Sequence, residues 1–138
     1  MALFTHDTKV DALAAIPLFK GLSRSELAQL AKLSEDLEVE EGKELTRQGE
    51  IGREFFVIVD GEVTVERDGR EWRTLGPGDF FGEIALLSDS YRRTATVRAK
   101  TPLRFFVLTR QAFLSLVSKQ PDIEDKVMEA LEERLAAG

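Results

Sequence analysis

The sequence contains no cysteine and a single histidine, His6. The first absence removes disulfides, thiolate nucleophiles, Cys-ligated zinc and iron–sulfur clusters together. The second leaves a Ser-His-Asp triad only His6 to be built on, and a multi-histidine metal site of the cupin kind without its ligands. His6 itself falls in the polar start of the chain, where a tail is expected. Neither catalysis nor a metal cofactor is expected. Basic charge is also short: 19 Lys and Arg against 25 Asp and Glu leave a net charge of −6. A surface of that sign does not invite a polyanion, so no nucleic-acid partner is expected. No apolar run approaches the roughly 18 residues of a membrane span. Residues 1–8 lack the charged and apolar regions of a signal peptide. No membrane partner and a cytoplasmic location follow as expectations.

What is present is a globular composition, 43% hydrophobic and 32% charged over 138 residues. A chain of that length forms one domain and buries roughly two-thirds of its unfolded surface, enough for a core without covalent staples. Residues 9–41 hold only Pro17 and Gly21 as breakers and read as helix. Val10 to Ile16 predicts a short helix stopped near Pro17. Ser23-Arg24-Ser25-Glu26 is a capping box, with Leu22 and Leu27 placed for a hydrophobic staple. Leu27, Leu30, Ala31 and Leu33 then give an apolar face.

Eight of the ten glycines fall between Gly42 and Gly82 and punctuate short β-rich runs. Phe55-Phe56-Val57-Ile58-Val59 predicts a strand buried on both faces. Asp60-Gly61 and Asp68-Gly69 mark tight turns. Val63 and Val65 alternate with polar neighbours, as do Ala95, Val97 and Ala99; Leu103 to Leu108 is a further strand. Short strands with turns every 8–12 residues predict a sandwich or barrel. Helix returns after Thr109, a candidate N-cap, and Pro121 breaks it. The last helix, Asp122 to Ala136, carries Ile123, Val127, Met128, Leu131 and Leu135 as an apolar stripe.

One segment carries chemistry. Gly78-Asp79-Phe80-Phe81-Gly82-Glu83-Ile84-Ala85-Leu86-Leu87 reads as a glycine turn followed by one helical turn, whose free amides favour an anion. The loop Ser88-Asp89-Ser90-Tyr91 then leads to Arg92-Arg93-Thr94-Ala95. An arginine ten residues beyond Glu83 can fold back to the same spot, and a guanidinium gives a phosphate two parallel charge-assisted bonds. A carboxylate beside it makes sense if the ligand also offers a hydroxyl. The bland alternative is a surface ion pair closing a loop, worth about 0–1 kcal/mol. If Arg93 faces the pocket, Arg92 faces solvent, since adjacent strand residues point to opposite sides. The Phe80-Phe81 pair reads as core rather than as a stacking platform.

Phe81-Gly82-Glu83-Ile84-Ala85-Leu86-Leu87 followed by Arg93-Thr94-Ala95 resembles the phosphate-binding cassette of cyclic-nucleotide-binding domains. Such domains occur in kinase regulatory subunits, nucleotide-gated channels and the bacterial catabolite activator protein. The resemblance covers nearly the whole chain, starting with Ile16-Pro17-Leu18-Phe19-Lys20-Gly21-Leu22-Ser23. It implies an α+β, mainly β fold: an eight-stranded antiparallel β-roll (double-stranded β-helix, jelly-roll-like) flanked by N-terminal helices and two C-terminal helices. Residues 1–138 would form a single domain, with a helical segment at 9–35, the roll at 36–108 with the cassette at 81–95, and hinge and lid helices at 109–137. Arg92 stands where kinase-type domains usually carry proline, and the ten-residue spacing is similar to the bacterial activator.

By this resemblance Glu83 accepts from the ribose 2′-hydroxyl and Arg93 pairs with the cyclic phosphate. The amides of Gly82 and Ala85, with Thr94, complete the cradle, Ile84 and Ala95 belong to the same segment, and Leu131, Arg134 and Leu135 are expected lid contacts. The ligand is cAMP by preference; Thr94 permits cGMP, because a threonine there can bond the 2-amino group of a syn guanine. Binding is expected to draw in the cassette helix, release the hinge around Thr109 to Gln120 and close the last helix, which an effector protein would read. No DNA-binding, kinase, cyclase or channel segment is expected on the chain, so the module would stand alone. A module that kept the fold without binding nucleotide is the remaining alternative.

Overall fold

The run from Phe55 to Val59 lies in a sheet with apolar cores on both of its faces. The computed structural model describes the backbone of residues 6–87 and 92–137, and the side chains of residues 9–87 and 92–135. The loop Ser88 to Tyr91 and the side chain of His6, both singled out above, lie outside the described residues. One sheet is ordered β1 (Ser34–Val39), β8 (Leu103–Thr109), β3 (Glu54–Asp60), β6 (Phe80–Phe81). The other is ordered β2 (Glu44–Thr46), β7 (Thr96–Ala99), β4 (Val63–Arg67), β5 (Arg70–Leu75). Every neighbouring pair is antiparallel. The two sheets make an open roll of eight strands rather than a closed barrel.

Strand pleating explains the first sheet. Phe55 and Val57 on β3, with Phe106 and Leu108 on β8, face the helices. Phe56, Ile58, Phe105 and Val107 face the roll interior. With water on neither side, alternation disappears and the run becomes apolar throughout. Phe55 stacks on Phe113 with ring centroids 4.4 Å apart, and Phe56 stacks on Phe81 at 4.6 Å. The second sheet keeps the half-buried pattern, with Val63, Val65, Val97 and Ala99 inward. Its β4–β5 hairpin turns at Asp68 and Gly69, φ 53° and 79°, the positive pair that a two-residue hairpin turn needs.

The helices are α1 (His6–Ala14), α2 (Arg24–Leu33), the short α3 (Glu83–Leu87), α4 (Arg110–Lys119) and α5 (Pro121–Ala137), with a 3-10 turn at Pro17–Phe19. The capping box of α2 is complete: the Glu26 amide donates to Ser23 Oγ at 3.1 Å, and the Ser23 amide to Glu26 Oε1 at 2.8 Å. Thr109 caps α4 by accepting from the Ala112 amide at 3.2 Å.

Four expectations need correction. Helix does not continue to residue 41, because Ser34–Val39 pairs residue for residue with Leu108 back to Leu103. Helix α1 already begins at His6, so the backbone there is not a frayed tail. Leu33 is 56% exposed, since α2 ends there and the chain leaves for β1. Pro121 opens α5 instead of preceding it, the first-turn position where its missing N–H costs nothing.

Candidate functional site

A cleft of about 440 Å³ opens where the roll interior meets α3 and the end of α5. Gly82, with φ +98°, turns the chain from β6 into α3. That turn buries Glu83, Ile84, Ala85 and Leu86 together. Gly82, Glu83, Ile84, Ala85, Arg93, Thr94, Ala95 and Arg134 all line the cleft. Leu131 is half-buried outside the lining, and Leu135 is 57% exposed. The buried stripe of α5 runs Ile123, Val127, Arg134, so an arginine stands where the apolar pattern put a leucine. Thr94 is solvent-exposed at the rim and Ala95 is half-buried.

Arg93 is held from both ends. Its backbone N–H donates to Glu50 O at 2.8 Å, and its carbonyl accepts from the Gly49 amide at 2.9 Å. Its guanidinium donates to Gly82 O at 3.2 Å and Glu54 O at 2.9 Å, and lies over the Phe56 ring. Burial pushes its pKa below the usual arginine range, while Glu54 and Glu83 oppose the shift. Gly52 is the floor under this side chain. A Cβ there would stand 2.4 Å from Arg93 Nε and 2.7 Å from Ala85 Cβ. Arg92, in contrast, is exposed and donates to Gly49 O.

Glu83 is 1% exposed, and a carboxylate so buried needs a cation or several donors. Arg134 supplies one: Nη1 donates to Glu83 Oε1 at 2.6 Å, and Nη2 to Phe80 O at 2.7 Å. Phe81 is buried in the roll cluster against Phe56, and Phe80 packs under the Arg134 guanidinium. Phe81 also lines the cleft.

Arg67, Trp72 and Arg73 also line the cleft, and the sequence reading missed them along with Gly52. The available signals were a lone tryptophan in the chain and a glycine ten residues after Gly42. The lining thus gathers Arg67, Arg73, Arg93 and Arg134 around the single carboxylate of Glu83. In a chain of net charge −6 that concentration favours an anion, and Glu83 adds an acceptor for a hydroxyl. Among the described residues no cluster of acids and histidines suits a metal, and no helix is long and apolar enough to cross a membrane.

The family model described as "Cyclic nucleotide-binding domain" matches residues 36–120. A cGMP-dependent protein kinase of Eimeria tenella is 36% identical over 81% of this chain and 11% of its own length. A cyclic nucleotide-gated potassium channel of Rhizobium etli is 36% identical over 88% of this chain and 34% of its own. A cAMP-dependent protein kinase regulatory subunit of Blastocladiella emersonii is 35% identical over 80% of the chain and 28% of its own. The chain therefore spans about a third or less of these relatives. Among solved structures, cAMP-bound PfPKA-R superposes with TM-score 0.86 at 26% identity, over 96% of this chain and 45% of that one. The catabolite activator protein of Thermus thermophilus superposes with TM-score 0.74 at 30% identity, over 87% of this chain and 58% of that one.

Proposed function

Because the chain belongs to the cyclic nucleotide-binding domain family, we propose that its cleft binds a cyclic purine mononucleotide, cAMP by preference, as a regulatory and non-catalytic module. The carrying observation is that Arg93 and Glu83, ten residues apart, line one cleft, each held by neighbours that fix its direction. Arg93 presents a fork for the cyclic phosphate. Its two carbonyl partners orient it without neutralising it, so the positive charge stays available. Glu83 accepts from the ribose 2′-hydroxyl, and the amides of Gly82 and Ala85, with Thr94, Ile84 and Ala95, complete the cradle.

The preference for cAMP is supported by the cAMP-bound PfPKA-R structure, and the cGMP-dependent kinase of Eimeria tenella supports cGMP as the alternative. Thr94 at the rim could serve a guanine. Residues 1–138 act as one unit in this reading, with the roll as receptor and α4 and α5 as hinge and lid. Arg134 links the two, since it sits on the lid and touches the ribose acceptor. A change in the seat of α5 is then the output, read by an effector protein in the cytoplasm. Kinase and channel relatives support an effector of that kind.

Calorimetric titration with cAMP and with cGMP, run beside Arg93→Ala, tests the reading. The parent binds at a one-to-one ratio, and the variant loses about a hundredfold or more, since each charge-assisted bond to the phosphate contributes about 1.5–3 kcal/mol. Equal binding by parent and variant removes Arg93 from the phosphate. No heat with either nucleotide leaves an interaction module that does not bind nucleotide.

A further inference from the structure

Trp72 sits where the strand alternation of β5 fails. Along the β4–β5 hairpin Val65 pairs with Arg73 and Glu66 pairs with Glu71, so Trp72 is an extra residue, a β-bulge. A regular strand would send Trp72 and Arg73 to opposite sides; here both line the cleft. The Arg67 guanidinium lies 3.8 Å from the Trp72 ring centroid and that of Arg73 lies 3.9 Å from it. Both guanidiniums therefore rest against the indole.

Each guanidinium then reaches the last turns of α5. Arg67 Nη2 donates to the carbonyl of Arg134 at 3.2 Å, and Arg73 Nη2 donates to Glu133 Oε1 at 2.6 Å. Arg73 and Arg134 both repel Arg67, and Glu83 and Asp68 offset only part of that. Burial and those two arginines push the pKa of Arg67 down, and its Nε is buried with no hydrogen-bond partner among the described residues. A tryptophan ring offsets such a charge excess, since the indole is the strongest cation–π acceptor among side chains.

We propose that Trp72 is a positioning residue for the nucleotide site: its indole holds Arg67 and Arg73 in the orientation from which they clasp the end of α5 over the cleft. This rests on the nucleotide reading above. Arg134 is part of the cleft wall, so an outward swing of the last turns of α5 opens the cleft. Weakening the clasp therefore speeds nucleotide release and leaves association near the parent rate, as is usual when contacts rather than encounter are changed.

The test is stopped-flow release of cAMP carrying a fluorophore at purine C8, chased with excess cAMP. Trp72→Ala is expected to release about tenfold faster, with Trp72→Phe in between because a phenyl ring keeps a smaller aromatic surface. Glu133→Gln is expected to release a few times faster, and Trp72→Ala/Glu133→Gln no faster than Trp72→Ala alone, because both act through one clasp. Release of Trp72→Ala at the parent rate overturns the proposal, and so does a double variant in which the two effects multiply. If Trp72→Ala loses its far-ultraviolet circular dichroism, Arg73→Gln and Glu133→Gln carry the test, and parent-rate release in both overturns it.

Trp72 is the chain's one tryptophan, so the clasp is also read with no nucleotide present. Its emission is expected to shift to the red in Glu133→Gln. A shift in a protein that binds neither cAMP nor cGMP would sink the nucleotide reading and keep the clasp. An unchanged emission would sink the clasp.

Discussion

Gly52 shows how one missing side chain sets the site. Its φ is ordinary, so the constraint is space alone: a Cβ would overlap the Arg93 guanidinium and the Ala85 methyl. The guanidinium can move away and the Ala85 methyl cannot, because α3 is packed on the core. Gly52→Ala is therefore expected to shift the backbone at residue 52 away from Ala85 and to displace Arg93 from Glu54 O, weakening cAMP binding by about tenfold to a hundredfold, the worth of one charge-assisted bond. Titration of the folded variant checks it, and parent affinity would mean that Arg93 need not keep this position. Glu83 and Arg93 were legible in the sequence because both lie in one short segment with its own glycine turn. Gly52, Arg67 and Trp72 were not: Gly52 matters only as the space beneath the distant Arg93 side chain, and Arg67 and Trp72 reach the cleft only through the pairing of β4 with β5. The bulge at Trp72 exists only in the register of β4 against β5. Likewise Arg134, and not Leu135, faces the cleft because Glu83 waits opposite, a contact spanning 51 residues.

Elements with local stop and start signals were read well, and the exceptions have a physical cause. The caps of α2 and α4 and the hairpin turn at Asp68-Gly69 depend on neighbours within four residues, so the sequence displays them; Asp60-Gly61 is instead a crossing from one sheet to the other, packed against Thr101 and Pro102. Strand β1, Ser-Glu-Asp-Leu-Glu-Val, contains one β-branched residue and looks helical by composition. Its strand state comes from six paired positions on β8, with a diagonal ion pair of Arg104 to Asp36 at 3.0 Å beside them. Tertiary pairing overrides propensity there. For α4 the local signal remains decisive, and its removal is measurable. Thr109→Ala leaves the Ala112 amide without its acceptor and is expected to cost about 1 kcal/mol. Urea unfolding reads this as a lower midpoint at unchanged slope. An unchanged midpoint would show that water replaces the cap freely.

Across the whole molecule, one sheet serves two cores, and α5 runs from the helix-side core to the cleft. Its first half belongs to the helix-side core through Ile123 and Val127, with Lys126 Nζ donating to Pro17 O at 3.1 Å. Its last turns are held by polar contacts: Glu133 with Arg73, and Arg134 with Glu83, Phe80 and Arg67. Hydrophobic anchoring is indifferent to acid and an ion pair is not, so the two halves should part company as pH falls. The hydrogen bond and charge of Arg73, with a smaller contribution from Arg134, hold the Glu133 carboxyl below its ordinary pKa of 4.5. A depressed carboxylate pKa means stability present above the unfolded value and lost as pH falls through the folded one. The contact is therefore complete at neutral pH and intact down to about 4.5, and it is lost below that. Glu133 is exposed, so salt weakens the same contact. The expected outcome is a shift in Trp72 emission whose midpoint lies below pH 4.5, at an acidity where far-ultraviolet circular dichroism still reports folded helices. Glu133→Gln carries no titrating group at this position and should lack that step. Should the emission and the circular dichroism instead change together in both proteins, α5 leaves the roll only when the whole domain unfolds, and the end of the helix has no independent motion for a partner to read.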